Sequence, residues 1–363
     1  YFVDRIRGFQ QAHQCSPWMS DYAVYSLMPE VGELVLDEDT RGAKFSHDNE
    51  VAKPHYYKVT FDNGITTEMA PTTRGVHLRF SFPRKGGAAY LVLDGYTAQS
   101  EVKIDPERRE ISGWVNNHRF VNHPETFRSY FVIRFDRPFE AWGTWENRRN
   151  TRTDGQTEAA GDGCGAYIRF KAGTKVQAKA ASSYISPEQA RITLERELGA
   201  DRNLEATKAR GAATWNALLG RVAVEGASEE EIRTFYSCLF RANLFSRKFY
   251  ERDAEGNPYY YSPYDGKVHA GYMYTDNGFW DTFRSQFPLT NILHPTMQGR
   301  YMQALLAAQE QCGWLPAWSA PGETGGMLGN HSISLLTDAW VKGIRTFDPA
   351  KALEAYAHEA MNK

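Results

Sequence analysis

Lys175-Val176-Gln177-Ala178-Lys179-Ala180-Ala181-Ser182-Ser183-Tyr184-Ile185-Ser186-Pro187-Glu188 is where this chain changes its period. The residues up to Ser183 read as a strand. Ser186 then supplies an N-cap, Pro187 the first helical position and Glu188 an acid in the first turn, which together start a helix. Everything N-terminal to this point carries period two, and nearly everything C-terminal to it carries a helical period.

On the N-terminal side, Tyr57-Lys58-Val59-Thr60-Phe61, Asp62-Asn63-Gly64 and Ile65-Thr66-Thr67 form a hairpin signal, because Asn-Gly accepts the positive φ values of a tight turn. Val76 to Phe82 alternates apolar and polar residues, as a strand with one buried face must. Similar runs follow at Tyr90 to Leu93, Glu101 to Ile104, Ile111 to Val115, Ser129 to Phe135 and Ala166 to Phe170. Short strands at near-regular spacing predict an antiparallel β-sandwich over 1–185.

On the C-terminal side, 186–227 is helical in composition and reads as a linker. Ser228-Glu229-Glu230-Glu231 is a capping box opening a helix whose Ile232, Phe235, Tyr236, Leu239 and Phe240 recur at three- and four-residue steps. Further helices are predicted at Asn277 to Phe287, His294 to Gly313 and Asn330 to Ile344, with one more from Pro349. The last of these runs into Met361-Asn362-Lys363 without a C-cap glycine. The expectation is therefore a helical domain, 228–363, of which only the first part is present.

Composition narrows the function. With 42 Lys+Arg against 44 Asp+Glu the net charge is −2, which leaves no electrostatic footprint for nucleic acid. No run of eighteen apolar residues suggests a membrane-spanning helix, and no signal peptide is visible. Cys15, Cys164, Cys238 and Cys312 lie far apart and form no CxxC pair, so they read as scattered buried thiols. The chain has no GK[ST] phosphate loop, no HExxH and no GxSxG.

What remains is carboxylate chemistry on a polyol. Thr275-Asp276-Asn277-Gly278-Phe279-Trp280-Asp281-Thr282-Phe283-Arg284 sets rings and fixed hydrogen-bonding groups side by side, as a sugar subsite needs. Trp280 can cover the C–H face of a pyranose while Asp281 accepts its hydroxyls. The competing reading is that Asp281 pairs with Arg284 one turn on and Trp280 is core. Asp276 and Asn277 read as caps of the same helix. Gly313-Trp314-Leu315-Pro316-Ala317-Trp318-Ser319-Ala320-Pro321-Gly322-Glu323-Thr324 repeats the recipe. Glu323 there is either a ligand contact or a solvated loop acid, and Asn330 and His331 are either contacts or the start of the next helix. Near the N-terminus, Ser16-Pro17-Trp18 sets an indole on a proline-stiffened loop, where it reads equally as a core-plugging ring or a ligand platform.

Gly8-Phe9-Gln10-Gln11-Ala12-His13, Ser16-Pro17-Trp18, Asp21-Tyr22, Phe279 to Arg284, Gly313-Trp314-Leu315-Pro316, Glu323-Thr324 and Met327-Leu328-Gly329-Asn330-His331 occur in the order found in glycoside hydrolase family 92, which this chain resembles over its whole length. The resemblance implies a multidomain, β then α protein: an N-terminal antiparallel β-sandwich, a helical linker and a partial (α/α)6 barrel. It implies a calcium-dependent, inverting exo-α-mannosidase, with α-1,2 linkages the first expectation and a mannose-containing glycan the substrate. It also implies a secreted, periplasmic or bacterial cell-surface location. Trp18, Trp280, Asp281, Arg284, Glu323, Asn330 and His331 are the expected substrate contacts. Inversion needs two separated carboxylates with water between them. In the family these lie in blocks resembling GNEPSHH and DxGQMSAW, neither of which occurs in the 363 residues. The general acid, the general base and the Ca²⁺ ligands are accordingly expected beyond Lys363, and the chain by itself is expected to be inactive. Two alternatives stay open: a carbohydrate-binding protein without hydrolysis, and another (α/α)6 hydrolase in which Asp281 and Glu323 are catalytic.

Overall fold

The computed structural model describes residues 3–11, 25–95, 99–116, 124–146, 151–323 and 325–362. These fall into two compact units: one holds the described residues up to 116 together with 128–218, and the other holds 124–127 and the residues from 219 onward.

In the first unit the strands are β1 (Arg5–Ile6), β2 (Phe9–Gln10), β3 (Ser26–Gly32), β4 (Ala43–Lys53), β5 (Tyr56–Phe61), β6 (Thr66–Pro71), β7 (Gly75–Ser81) and β8 (Ala88–Asp94). They continue with β9 (Gln99–Asp105), β10 (Glu110–Val115), β11 (Ser129–Phe135), β12 (Ala141–Glu146), β13 (Thr151–Asp154), β14 (Glu158–Asp162), β15 (Gly165–Phe170) and β16 (Lys175–Ser183). Ten of them form one sheet in the order β1-β4-β5-β6-β7-β16-β11-β10-β9-β14, and six form another in the order β13-β12-β15-β8-β3-β2. The pairings are antiparallel, for example Val132↔Ala181 between β11 and β16 and Met28↔Val92 between β3 and β8.

Period two in sequence becomes one shared core. Phe80, Phe131, Ile133 and Val176 from the larger sheet meet Leu27, Leu91, Leu93, Ala166 and Ile168 from the smaller, all almost wholly buried. Two inner faces filled in this way make a β-sandwich. The Asn63-Gly64 turn is where the sequence places it, with Gly64 at φ 85° and the Asn63 side chain accepting from the Ile65 N–H at 3.1 Å. On the far face of the smaller sheet, Arg41 and Asp94 form a wholly buried ion pair at 2.9 Å. The guanidinium also donates to the Leu36 carbonyl, which offsets part of its desolvation.

The segment 186–227, expected as a linker, begins with α1 (Pro187–Leu198) and α2 (Leu204–Leu219). The Ser186 hydroxyl caps α1 by accepting from Gln189 N–H. Helix α1 lies against β16, β11 and β7, so the first unit extends through Leu218 instead of ending at the last strand. Thr207 of α2 reaches His77 of β7 at 3.0 Å, and Glu205 pairs with Arg79 at 2.6 Å.

The second unit is mainly helical: α3 (Glu229–Ala242), α4 (Phe279–Thr282), α5 (Gln286–Leu293), α6 (Pro295–Cys312), α7 (Ser332–Val341) and α8 (Pro349–Met361). Small strands connect them: β17 (Arg247–Lys248), β18 (Glu251–Arg252), β19 (Pro258–Tyr261), β20 (Val268–Ala270), β21 (Tyr274–Thr275), β22 (Asn277–Gly278) and β23 (Trp318–Ser319). The capping box on α3 is complete, Ser228 and Glu231 each accepting from the other's backbone N–H. Gly313 ends α6 in the left-handed region at φ 86°. Helix α6 packs against α5, α7 and α8. The architecture is thus an antiparallel β-sheet domain followed by a helical region.

Two expectations are corrected. The helix foreseen over Asn277 to Phe287 starts only at Phe279, because Asn277 and Gly278 are drawn into strand pairing with Ser319 and Trp318, and it is divided into α4 and α5. The thiols are not uniformly buried: Cys164 is, Cys312 is half-buried and Cys238 is exposed.

Candidate functional site

The two aromatic segments picked out in the sequence meet in the second unit. Strand β22 pairs with β23 through Asn277↔Ser319 and Gly278↔Trp318, and the Asp276 N–H donates to the Ser319 carbonyl at 2.7 Å. Asp276 takes φ 63°, a conformation L-residues adopt rarely, and its buried carboxylate is met by Arg247 at 3.0 Å. It is therefore not a helix cap. Asn277, fully buried, is wired from several sides: its amide donates to Ser246 Oγ at 2.8 Å, and its oxygen accepts from the Thr282 hydroxyl at 2.6 Å. Tyr301 of α6 donates to the same Ser246 oxygen at 2.7 Å. A rigid polar frame thus fixes the start of α4.

On that frame Phe279 points into the core while Trp280, 44% exposed, and Asp281 face outward. Gly278 is needed where it stands: a Cβ there would lie 2.7 Å from Asp281 Oδ2 and 3.4 Å from the Trp318 indole. Arg284 does not pair with Asp281. It donates to the Trp280 carbonyl at 2.8 Å and lays its guanidinium over the rings of Trp280 and Phe283, at 5.1 and 4.3 Å from their centroids. Asp281 keeps both carboxylate oxygens without a partner among the described residues. An exposed indole beside an unpaired carboxylate is suited to gripping a polyol ring, the first through its C–H face and the second by accepting hydroxyls.

Glu323 stands close by in the fold, since it bridges to Ser319 of β23, but its carboxylate is engaged. Oε2 accepts from the Ala317 N–H at 2.8 Å and the Trp318 N–H at 3.3 Å, and Oε1 accepts from the Gly325 N–H at 2.8 Å. Three backbone donors converging on one acid account for Glu323 as a brace of the aromatic loop. His331, at the N-cap position of α7, makes no side-chain capping bond; its ring stacks on Phe283 at 4.5 Å with planes 8° apart. Asn330 beside it has a buried Oδ1 without a hydrogen-bond partner. Trp280, Arg284, Phe283 and His331 therefore form one chain of ring contacts.

Phe283, which joins Arg284 to His331, was not singled out in the sequence, and neither was Arg247, the partner of Asp276. The spacing of Phe283 three residues after Trp280 was the available signal. Trp18 lies outside the described residues. Among the described residues no group of three or more His, Cys, Asp or Glu side chains is placed to hold a metal ion.

Comparison with known proteins bears on the whole chain. Residues 1–183 match the glycosyl hydrolase family 92 N-terminal domain and 189–363 the family 92 catalytic domain. The structure of a family GH92 inverting mannosidase from Bacteroides thetaiotaomicron is 45% identical with a TM-score of 0.96, covering 100% of this chain and 49% of that one. A family GH92 α-mannosidase from the same organism, solved with mannoimidazole, is 26% identical with a TM-score of 0.83, covering 93% of this chain and 46% of that one. An uncharacterized secreted glycosidase of Arthroderma benhamiae is 23% identical over 281 residues, 66% of this chain and 35% of its own length. The chain thus spans about half the length of these solved relatives. With both family domains matched in order and the fold superposing throughout, the chain belongs to glycoside hydrolase family 92.

Proposed function

We propose that the protein to which this chain belongs removes terminal mannose from α-mannosides, α-1,2 linkages first among them, by an inverting mechanism that depends on Ca²⁺. The observation that carries this reading is Asp281, an unpaired carboxylate next to the exposed face of Trp280 on a frame that holds both still. Trp280 covers the apolar face of the terminal sugar and Asp281 accepts its hydroxyls. Arg284 keeps the indole in place, His331 holds Phe283 beneath Arg284, and Asn330 supplies a further acceptor. The family resemblance assigns Trp18 to the same sugar. This pre-placed wall orients the sugar before any bond is broken.

Bond cleavage by inversion calls for an acid and a base on opposite sides of the sugar. Neither role falls to Asp281, which binds, or to Glu323, whose oxygens are taken by backbone N–H groups. The acid and base come instead from the GNEPSHH-like and DxGQMSAW-like blocks. The ion, which binds sugar hydroxyls, is assigned by the family resemblance to residues beyond Lys363. Action on glycans outside the cell, at the periplasm or cell surface, fits such a substrate.

The alternative with Asp281 and Glu323 as the catalytic pair is weakened by the brace that Glu323 forms. The test is turnover of α-1,2-mannobiose, with Ca²⁺, by a protein carrying these 363 residues together with both carboxylate blocks. Asp281→Asn should lower kcat/KM by about ten- to a hundredfold, the worth of a hydrogen bond to a charged group, and Trp280→Ala should lower it by removing the ring face that covers the sugar. EDTA should abolish turnover and added Ca²⁺ restore it. Failure to cleave any α-mannoside would overturn the reading.

A further inference from the structure

The later turns of α2 present Thr207, Arg210, Gly211, Thr214, Trp215 and Leu218 at three- and four-residue steps, the period of one helical face. Of this helix only Leu204 and Thr207 are buried. The rest of the face borders a groove of about 360 Å³ where a packed core would ordinarily lie, a volume within the roughly 300–1,000 Å³ of small-molecule sites. The opposite wall is Pro54-His55 between β4 and β5, Pro71 to Thr73 between β6 and β7, and Glu197 near the end of α1. All of it belongs to the first unit.

The walls are built. Gly211 sits in a helix interior, where it costs about 1 kcal/mol relative to alanine. A Cβ at that position would stand 3.0 Å from the Cβ of His55, so the glycine lets the β4–β5 loop close onto the helix. Glu197 is fixed through one oxygen: Oε2 accepts from the Thr72 hydroxyl at 2.5 Å and the Arg74 N–H at 2.9 Å. Its Oε1 is left as an acceptor. Arg210 uses Nη2 for Asp201 and for the Glu197 carbonyl, leaving Nε and Nη1 as donors. Burial, and then Lys53 and Lys208, hold the His55 imidazole below its usual range, so at neutral pH the ring is uncharged and offers one donor and one acceptor.

We infer that this groove is a second saccharide site, taking one pyranoside unit against the Trp215 indole with its hydroxyls shared among Glu197 Oε1, Arg210 and His55. An anion is disfavoured by the Glu197 carboxylate in the wall. A purely apolar ligand would cover Glu197 Oε1, the Nε and Nη1 of Arg210 and the His55 ring without pairing them. A ring with one C–H face and vicinal hydroxyls satisfies both walls. The choice of a sugar over another polyol rests on the mannoside reading above.

The experiment is saturation-transfer NMR of methyl α-D-mannopyranoside on the 363-residue chain carrying Trp280→Ala and Asp281→Ala, which removes the first site. Saturation transfer should persist in that background. Adding Trp215→Ala should weaken the apparent affinity about tenfold, and adding His55→Ala about threefold, with melting temperatures confirming that the variants are folded. Loss of all transfer with Trp280→Ala and Asp281→Ala alone would overturn the groove and leave the mannoside reading standing. Transfer that neither Trp215→Ala nor His55→Ala alters would also overturn it. No transfer in the unaltered chain would do the same, while the mannoside reading would still be judged by turnover in the longer protein.

Discussion

The sandwich and the helical unit treat their apolar residues differently. In the sandwich, alternation is answered on both sides: inward positions of the two sheets meet in one core, and the large side chains there are almost wholly buried. In the helical unit, Phe235 of α3, Ile292 of α5, Val341 of α7 and Leu353 and Met361 of α8 are exposed, Ile292 at 72% and Met361 at 84%. Helix α3 is the sharpest case: it has a clean apolar stripe in sequence, yet only Leu239 is buried. Periodicity marks which face of an element is apolar; what covers that face is a separate fact. The test is to perturb matched positions in the two units.

The largest effect is expected in the sandwich. Phe131 of β11 is fully buried between the sheets, and Phe131→Ala should cost about 3–5 kcal/mol by removing a ring and leaving a cavity. Urea unfolding followed by circular dichroism reads this directly. A loss under about 1 kcal/mol would mean that the core re-packs easily and that the contrast between the units is weaker than their burial indicates.

The same contrast explains how much the sequence disclosed. Strands β5 to β11, β15 and β16 are legible because each carries its own hydrophobic alternation, and α3, α6 and α8 because their starts or stops are local: Ser228 with Glu231, Pro295 with Gly313, and Asp348 with Pro349. β4 is not legible, since Ala43-Lys44-Phe45-Ser46-His47-Asp48-Asn49-Glu50-Val51-Ala52-Lys53 is mostly exposed and polar. The late start of α4 is not legible either, because Asn277 and Gly278 are taken up by pairing with β23 some forty residues on. In the site, the kinds of residue could be read but not their partners. Arg284 at a helical step from Asp281 suggested an ion pair; it turns to the Trp280 carbonyl instead. Glu323 in a glycine-rich loop suggested ligand contact, and nothing local announced the three N–H groups that converge on it.

Next in size is a pH effect confined to the sandwich. Burial, helped by Lys179 and Arg79 and opposed by Asp201 and Glu205, pushes the His77 pKa down to about 4. Between its unfolded pKa near 6.5 and that value the unfolded chain binds the extra proton, so stability falls as pH is lowered through this window, by up to about 3 kcal/mol. Glu30 acts in the opposite sense. Burial pushes it up to about 7, against the Val35 N–H and Arg41, so the folded chain holds the extra proton and stability falls as pH rises from about 4.5 to 7. The two slopes oppose each other in the unaltered chain. Glu30→Gln should unmask the His77 slope, seen as a melting temperature that drops more steeply from pH 6.5 to 4. Parallel pH profiles for the two chains would show that Glu30 does not titrate in this range.

Smaller still is the effect of loosening the brace in the helical unit. Glu323→Gln replaces a charged acceptor serving three backbone N–H groups by a neutral one, a loss of about 1–2 kcal/mol. Hydrogen exchange should show faster exchange at Ala317, Trp318 and Gly325 and little change in the sandwich. Unchanged protection at those three amides would remove the structural account of Glu323 and restore substrate contact as the reason for its placement.

The smallest effect is the one that isolates the open face. Ile292→Ser removes a large apolar side chain from an exposed position on α5 and should change the stability of this chain by no more than about 0.5 kcal/mol. Solved family members are about twice as long, so the same substitution can be made in a protein with the additional sequence. If that sequence covers α5, Ile292→Ser there should cost about 2–3 kcal/mol, because a buried isoleucine then loses its transfer free energy. Equal, negligible costs in both proteins would mean that α5 stays solvent-facing, and the difference between sandwich and helical unit would be a property of the fold itself. A cost that appears only in the longer protein would make it a property of what the apolar face is given to pack against.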